Sequence, residues 1–260
     1  MGFMSVGTKL MTAKSIVKNE GVSFLTKKVF KKFLLPVLYV PVCWKEVKKI
    51  QKKPLQVSEL VEFVFTVCKI NGKGYLEPMQ VKSEISSLVE LVKQQKPKIL
   101  LEIGSARGGT LFLFSQVAPE NALLISLDMP GGVYGGYSKW RIPLYKSFAK
   151  KNQTIKLIQA DSHSEDTLRK VKTLLGDKKI DFMFIDADHT FNGVKRDFEI
   201  YSPLINTGGM IAFHDVAFKN PPTPKSEVDL FWKEIKDLHE HVEFVEDAQQ
   251  GWAGIGVLKM

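Results

Sequence analysis

Cysteine is almost absent from this chain: Cys43 and Cys68 are the only two among 260 residues. Two thiols do not build a disulfide framework, and neither sits in a metal-ligand spacing. Buried thiols in a reducing compartment are the expectation. No apolar run reaches the roughly 18 residues of a membrane span. The start of the chain lacks a basic stretch followed by an apolar region and a cleavage site, so no secretory signal is read and a cytoplasmic protein is expected. Internal repeats and low-complexity segments are missing too. Nor does the greater part of the chain carry excess charge: residues 61–260 hold 25 Lys plus Arg and 25 Asp plus Glu. That balance argues against nucleic acid as a partner of the body.

All of the net charge of +9 lies in residues 1–60, with 12 Lys against 3 Glu. The run Lys27-Lys28-Val29-Phe30-Lys31-Lys32 leads into an apolar stretch from Phe33 to Trp44 that contains Pro36 and Pro41. The prolines are expected to prevent a continuous helix. Two uses fit residues 27–53. One is a helical arm packed on the body, or on a partner subunit of a homo-oligomer, with solvated lysines. The other is peripheral contact with an anionic membrane surface. The first is the simpler. Residues 1–74 are read as this basic arm and 75–260 as the main domain.

What the body does have is a series of apolar runs, each ending in an acid. Ile99-Leu100-Leu101 runs into Glu102, and Leu123-Leu124-Ile125-Ser126-Leu127 into Asp128. Ile155-Lys156-Leu157-Ile158 precedes Asp161, and Phe182-Met183-Phe184-Ile185 runs into Asp186. The intervals suit strand-helix-strand units. Helical spacing at Val81, Ile85, Leu88, Val89 and Val92 precedes the first strand. Two further strands near the end, around Val242–Val245 and Gly254–Leu258, read as a hairpin added to the sheet edge. The fold class is therefore α/β: a Rossmann-like, mostly parallel seven-stranded sheet, helices on both faces, with a C-terminal antiparallel hairpin. Ligands of such sheets bind outside the carboxyl ends of the strands, so the acids line one rim and face one ligand.

The first turn reads Glu102-Ile103-Gly104-Ser105-Ala106-Arg107-Gly108-Gly109-Thr110. It lacks the Gly-x-Gly-x-x-Gly spacing of a dinucleotide site. An acid before the first glycine repels phosphate and suits an amine-bearing or cationic ligand.

This acid-x-Gly-x-x-x-Gly turn resembles the first motif of the class I S-adenosylmethionine-dependent methyltransferases. The resemblance implies that Glu102, Gly104 and Ser105 lie against the methionyl part of the cofactor. It implies that Asp128 binds the ribose hydroxyls, that Asp161 and Ser162 read the adenine edge, and that Asp186 lies beside the cofactor. Two further clusters, Asp186-Ala187-Asp188-His189 and His214-Asp215, end apolar strands that should be neighbours. Together they resemble the metal-dependent O-methyltransferases, a group that includes the catechol, caffeoyl-CoA and macrolide-sugar enzymes. That likeness implies Asp186, His214 and Asp215 as ligands of Mg2+ or Mn2+, although most members have a carboxylate where His214 stands. It also implies a general base at His189 or Asp188. His189 is favoured, since an imidazole titrates near neutral pH.

The expected activity is methyl transfer to a hydroxyl of a small molecule, sugar or glycolipid. Tyr134, Tyr137 and Trp140, in the glycine-rich segment after Asp128, are candidate acceptor contacts, and Trp252 is read as core. The alternatives are an RNA or DNA methyltransferase, which the basic arm favours, and a non-catalytic membrane-associated scaffold. The chain also resembles the cephalosporin hydroxylases, which share this fold, but it supplies no clear iron-binding triad.

Overall fold

The computed structural model describes residues 35–69, 72, 74–131, 136–217, 226–247 and 249–260. The lysines at 27–32, Tyr134 and residues 218–225 lie outside this set. Among the described residues seven strands form one sheet: β1 Ile99–Ile103, β2 Leu123–Asp128, β3 Thr154–Gln159, β4 Ile180–Ile185, β5 Ile205–His214, β6 Glu240–Phe244 and β7 Ile255–Lys259. Their order is β3-β2-β1-β4-β5-β7-β6. The first five are parallel, and β7 runs antiparallel between β5 and β6. The terminal hairpin thus joins the sheet through its second strand and leaves β6 at the edge.

Both sheet faces are covered, which is why the strands read as unbroken apolar runs. Alternate residues divide between two cores. Phe182 and Phe184 of β4, with Leu100 and Leu124, face one layer. Met183 and Ile185, with Leu101, Ile103, Ile125 and Leu127, face the other. The first layer holds α1 (Leu35–Ile50), α2 (Val57–Thr66), α3 (Lys82–Gln95) and α4 (Gly109–Val117). Phe114 of α4 meets Phe182 and Phe184 edge-on at 5.2 and 5.6 Å. A short helix, α5 (Ile142–Lys146), follows β2. The second layer holds α6 (Glu165–Leu175), α7 (Phe191–Tyr201) and α8 (Val228–Ile235).

Helix α1 corrects one sequence expectation, because it runs continuously through Pro41. An interior proline costs a helix on the order of 3 kcal/mol. Tertiary contacts offset it here. Cys43 and Val47, one turn apart, are fully buried in the first core. Lys48 Nζ donates to the Ser147 carbonyl at 2.6 Å, and Gln51 Nε2 to the Phe148 carbonyl at 2.7 Å. Residues 43–67 share one continuous core with the body. The outer face of α1 carries exposed Leu38, Val42 and Trp44 beside exposed Lys45 and Lys49. Among the described residues no helix is long and apolar enough to cross a membrane.

The loop after β6 is fixed by one buried side chain that sequence patterning passed over. Glu84 of α3 is 1% exposed. Its carboxylate accepts the Glu246 N–H at 3.1 Å, Gln250 Nε2 at 2.6 Å and the Gly254 N–H at 2.9 Å. Glu84→Ala strands these donors, each worth roughly 1–3 kcal/mol when buried and unpaired. The expected loss is about 3 kcal/mol, read as a lower urea midpoint; an unchanged midpoint would show that the loop is held by other means.

Candidate active site

Parallel strands bring the rim together. Glu102 is the fourth residue of β1, Asp128 ends β2, and Asp186 follows β4, which pairs with the other side of β1. The turn after β1 presses against the residue after β4: Gly104 has φ +92°, and a Cβ there would run into the Asp186 carbonyl oxygen. Only glycine satisfies both demands. The Ser105 and Ala106 N–H groups beyond it donate to Asp128 Oδ2 at 3.1 and 2.7 Å. Ser105 Oγ donates to Glu102 Oε2 and lies 2.7 Å from Ser126 Oγ. Asp128 thereby braces the turn while bordering the rim.

The electrostatics of this half are one-sided. Glu102 is 3% exposed. Burial pushes its pKa up to about 8, against the lowering effect of the Ser105 and Thr110 hydroxyls, with Asp128 and Asp186 adding to the rise. Burial likewise raises Asp128 to about 6, against the Ala106 and Ser105 N–H groups. Neither forms an ion pair with any cation among the described residues.

The other half is internally compensated. Asp215, in a left-handed conformation at φ +67° just past β5, is 5% exposed. His189 Nδ1 lies 2.6 Å from Asp215 Oδ2, and His189 Nε2 3.6 Å from Asp186 Oδ1. His214 Nδ1 lies between the two acids, 3.1 Å from Asp186 Oδ1 and 3.3 Å from Asp215 Oδ1. Burial opposes the charge on His214, but Asp186 and Asp215 outweigh it and lift its pKa to about 9. His189 follows the same pattern: burial lowers its pKa, Asp215 and Asp186 raise it further, and the net shift is upward. Asp215 is lowered, mainly because His214 and His189 overcome the cost of burial.

The expected site residues are not all alike in this arrangement. Glu102, Gly104, Ser105, Asp128 and Asp186 come together at one rim, with His189, His214 and Asp215 beside them. Asp161 is exposed and accepts the His163 N–H, while the Ser162 carbonyl accepts the Tyr201 hydroxyl. Asp188 is exposed and accepts the Thr190 N–H at 3.0 Å at the start of α7. Among the described residues, no three of His, Cys, Asp and Glu are placed so as to hold a metal ion. Tyr137, expected at an acceptor, is 1% exposed and packs edge-on against Tyr145. Trp252, expected in the core, is 44% exposed. Sequence reasoning also missed Gln80, whose Nε2 donates to Asp186 Oδ2 at 2.6 Å. No pattern marks it. Ser126 was visible as the one polar residue in an apolar run.

Fold and rim together define a Rossmann-like frame, with acids at the carboxyl ends of its first, second and fourth strands. Comparison with known proteins agrees. Residues 101–216, from within β1 to just past β5, match the family model described as a methyltransferase domain. An uncharacterised protein of Acanthamoeba polyphaga mimivirus is 32% identical over 115 residues, 44% of this chain and 50% of that protein. The chain thus spans about half the length of the curated relative it matches. Among solved structures, the O-methyltransferase of Bacillus cereus in complex with S-adenosylhomocysteine superposes with a TM-score of 0.53 at 17% identity, over 83% of this chain and 96% of that one. The O-methyltransferase TomG of Streptomyces achromogenes, involved in tomaymycin synthesis and solved with S-adenosylmethionine, gives 0.52 at 14% identity over 80% and 91%. At such identities the likeness is one of fold.

The raised pKa of Glu102 has a signed consequence for stability. Its ordinary value is 4.5 and its folded value about 8. In the unliganded protein the stability it confers is complete below the ordinary value and is lost as pH rises through about 8. Glu102→Gln should remove that loss. Thermal midpoints of the two proteins should diverge, with the variant higher, as pH goes from about 5.5 to 8.5. Parallel curves would show that Glu102 ionises freely in the folded state.

Proposed function

We propose that the protein transfers a methyl group from S-adenosylmethionine to a hydroxyl oxygen of a small-molecule, sugar or glycolipid acceptor. The observation that carries this reading is the pair of acids without a cation partner among the described residues, buried Glu102 and half-buried Asp128, beside the Gly104 turn. The rim is short of positive charge. Glu102 Oε1 has no hydrogen-bond partner among the described residues and is available to accept a ligand hydrogen. These features fit a ligand with a ribose, an amine and a sulfonium.

When bound, the cofactor supplies an electrophilic methyl group on sulfur and leaves as the neutral thioether once the acceptor oxygen has taken the methyl. The chain's residues do the rest. Asp128 accepts ribose hydroxyls on the side not used by the turn, and carboxylates are strong acceptors for such contacts. Glu102 holds the amine end. His189, oriented through Nδ1 by Asp215, takes the acceptor's proton. Because the neutral imidazole is the base and its pKa is raised, the rate should climb as pH passes above the usual histidine range.

The resemblance to metal-dependent enzymes adds Mg2+ or Mn2+ at Asp186, His214 and Asp215. As placed, these residues do not fit one. The His214 imidazole lies between the two carboxylates, where a cation would have to lie, and a metal would have to displace it. No step is assigned to a metal.

Calorimetric titration of S-adenosylhomocysteine, with and without magnesium, tests the reading. Binding on the order of micromolar is expected, weakened about tenfold or more in Asp128→Ala. Magnesium should leave it unchanged. No binding in either condition would remove the methyltransferase reading and favour the scaffold. Tightening by magnesium would restore the metal.

A further inference from the structure

Helix α1 has one face committed and one face left over. On the inner face Cys43 and Val47 are buried, Lys48 and Gln51 reach the Ser147 and Phe148 carbonyls, and the Tyr39 ring stacks on Tyr75 at 6.1 Å. The helix is therefore fixed in orientation on the body. Its outer face follows Leu38, Val42, Lys45 and Lys49, a spacing that makes one helical stripe. Leu38, Val42 and Trp44 are 56, 53 and 46% exposed, so three of the nine large apolar side chains exposed among the described residues fall between positions 38 and 44. Exposed Pro41 lies among them. Single exposed apolar residues are ordinary on a protein surface, whereas a cluster calls for a partner.

The charge beside this cluster is of one sign. Residues 35–53 hold five Lys and one Glu. Lys45, Lys52 and Lys53 are exposed and have no carboxylate partner among the described residues. Lys49 reaches Glu46 at 3.7 Å, an exposed pair of little worth. Lys27, Lys28, Lys31 and Lys32 precede the helix in sequence. Residues 61–260 carry no net charge and supply no surplus of acid to complement these lysines. A partner for this face has to offer negative charge and an apolar layer together.

We propose that the outer face of α1 docks on an anionic lipid bilayer. This goes beyond the methyl-transfer reading and does not depend on it. The helix lies in the plane of the interface, the usual pose of a short helix with an apolar and a basic side. Leu38, Val42 and Trp44 enter the boundary between headgroups and acyl chains, where tryptophan is favoured. Lys45, Lys49, Lys52 and Lys53 stay among the headgroups, beside the phosphates and carboxylates of acidic lipids. Other occupants meet half of the pattern. A nucleic acid takes the lysines and leaves the apolar cluster in water. A second copy covers the cluster but brings the same unpaired lysines. Because the inner face is locked to the body, docking also sets the orientation of the whole domain on the membrane.

The test is flotation of the full chain with vesicles of phosphatidylcholine alone and of phosphatidylcholine with about 30% phosphatidylserine. Partition onto the acidic vesicles should be at least about tenfold stronger, and about 0.5 M salt should weaken it. Leu38→Glu with Val42→Glu should abolish it, and Lys45→Glu with Lys49→Glu should lower it about tenfold. All four side chains are exposed, so the thermal midpoint should stay in place, which separates lost docking from lost folding. Brominated lipid should quench the tryptophan fluorescence of the wild type, and Trp44→Phe should remove most of that quenching. Equal partition onto neutral and acidic vesicles, or no partition onto either, overturns the proposal. So does binding that survives the Leu38 and Val42 changes, since the contact would then lie in the lysine run ahead of the helix. A dimer that those two changes dissociate overturns it as well, because a second copy would then cover the face.

Discussion

Two carboxyl groups at the ends of neighbouring strands, one buried and one half-buried, with no cation beside them among the described residues, are the constraint on which this structure turns. Burial of an unpaired acid is unfavourable, and a protein tolerates it where a ligand completes the charge. Glu102 and Asp128 are such a pair, with pKa values raised to about 8 and about 6. The surrounding backbone is arranged around them. The Gly104 turn can pass between β1 and Asp186 only without a side chain, and its next two N–H groups fasten it to Asp128. The same geometry that strains the unliganded protein shapes the place where a ligand would relieve it.

A few ångströms away the balance is reversed. Asp186 and Asp215 are matched by His189 and His214, with contacts from 2.6 to 3.6 Å. Asp186 is the hinge between the two halves. It touches the glycine turn through its backbone, and Gln80 and His214 through its carboxylate. The half lacking positive charge suits a cationic ligand, and the compensated half holds an imidazole in a fixed orientation. This division of labour follows from two polar clusters meeting where β4 and β5 lie side by side.

Much of this was legible in the chain. Apolar runs that end in acids marked the strands and their carboxyl ends, because a parallel sheet covered on both faces needs unbroken apolar strands and places its ligand at one rim. The meeting of the Asp186 and His214–Asp215 clusters followed from adjacent strands. What escaped depends on tertiary contact. Pro41 should break a helix, yet the burial of Cys43 and Val47 holds α1 together across it. Tyr137 looked like a ligand contact and is packed against Tyr145, whereas Trp252 looked like core and is exposed. An aromatic residue carries no local sign of which way it points. Gln80 and Glu84, isolated polar residues at the start of a helix, acquire their roles from partners about 106 and 160–170 positions away.

The central claim is that the rim carries an acid kept neutral until a cationic ligand arrives. The most direct measurement is the proton balance of S-adenosylhomocysteine binding at pH 7, taken from titration heats in buffers of different ionisation enthalpy. The account predicts release of about one proton by the wild-type protein, as a ligand amine draws Glu102 into its charged form, and none by Glu102→Gln. Binding with no buffer dependence, or with the same dependence in both proteins, would contradict it.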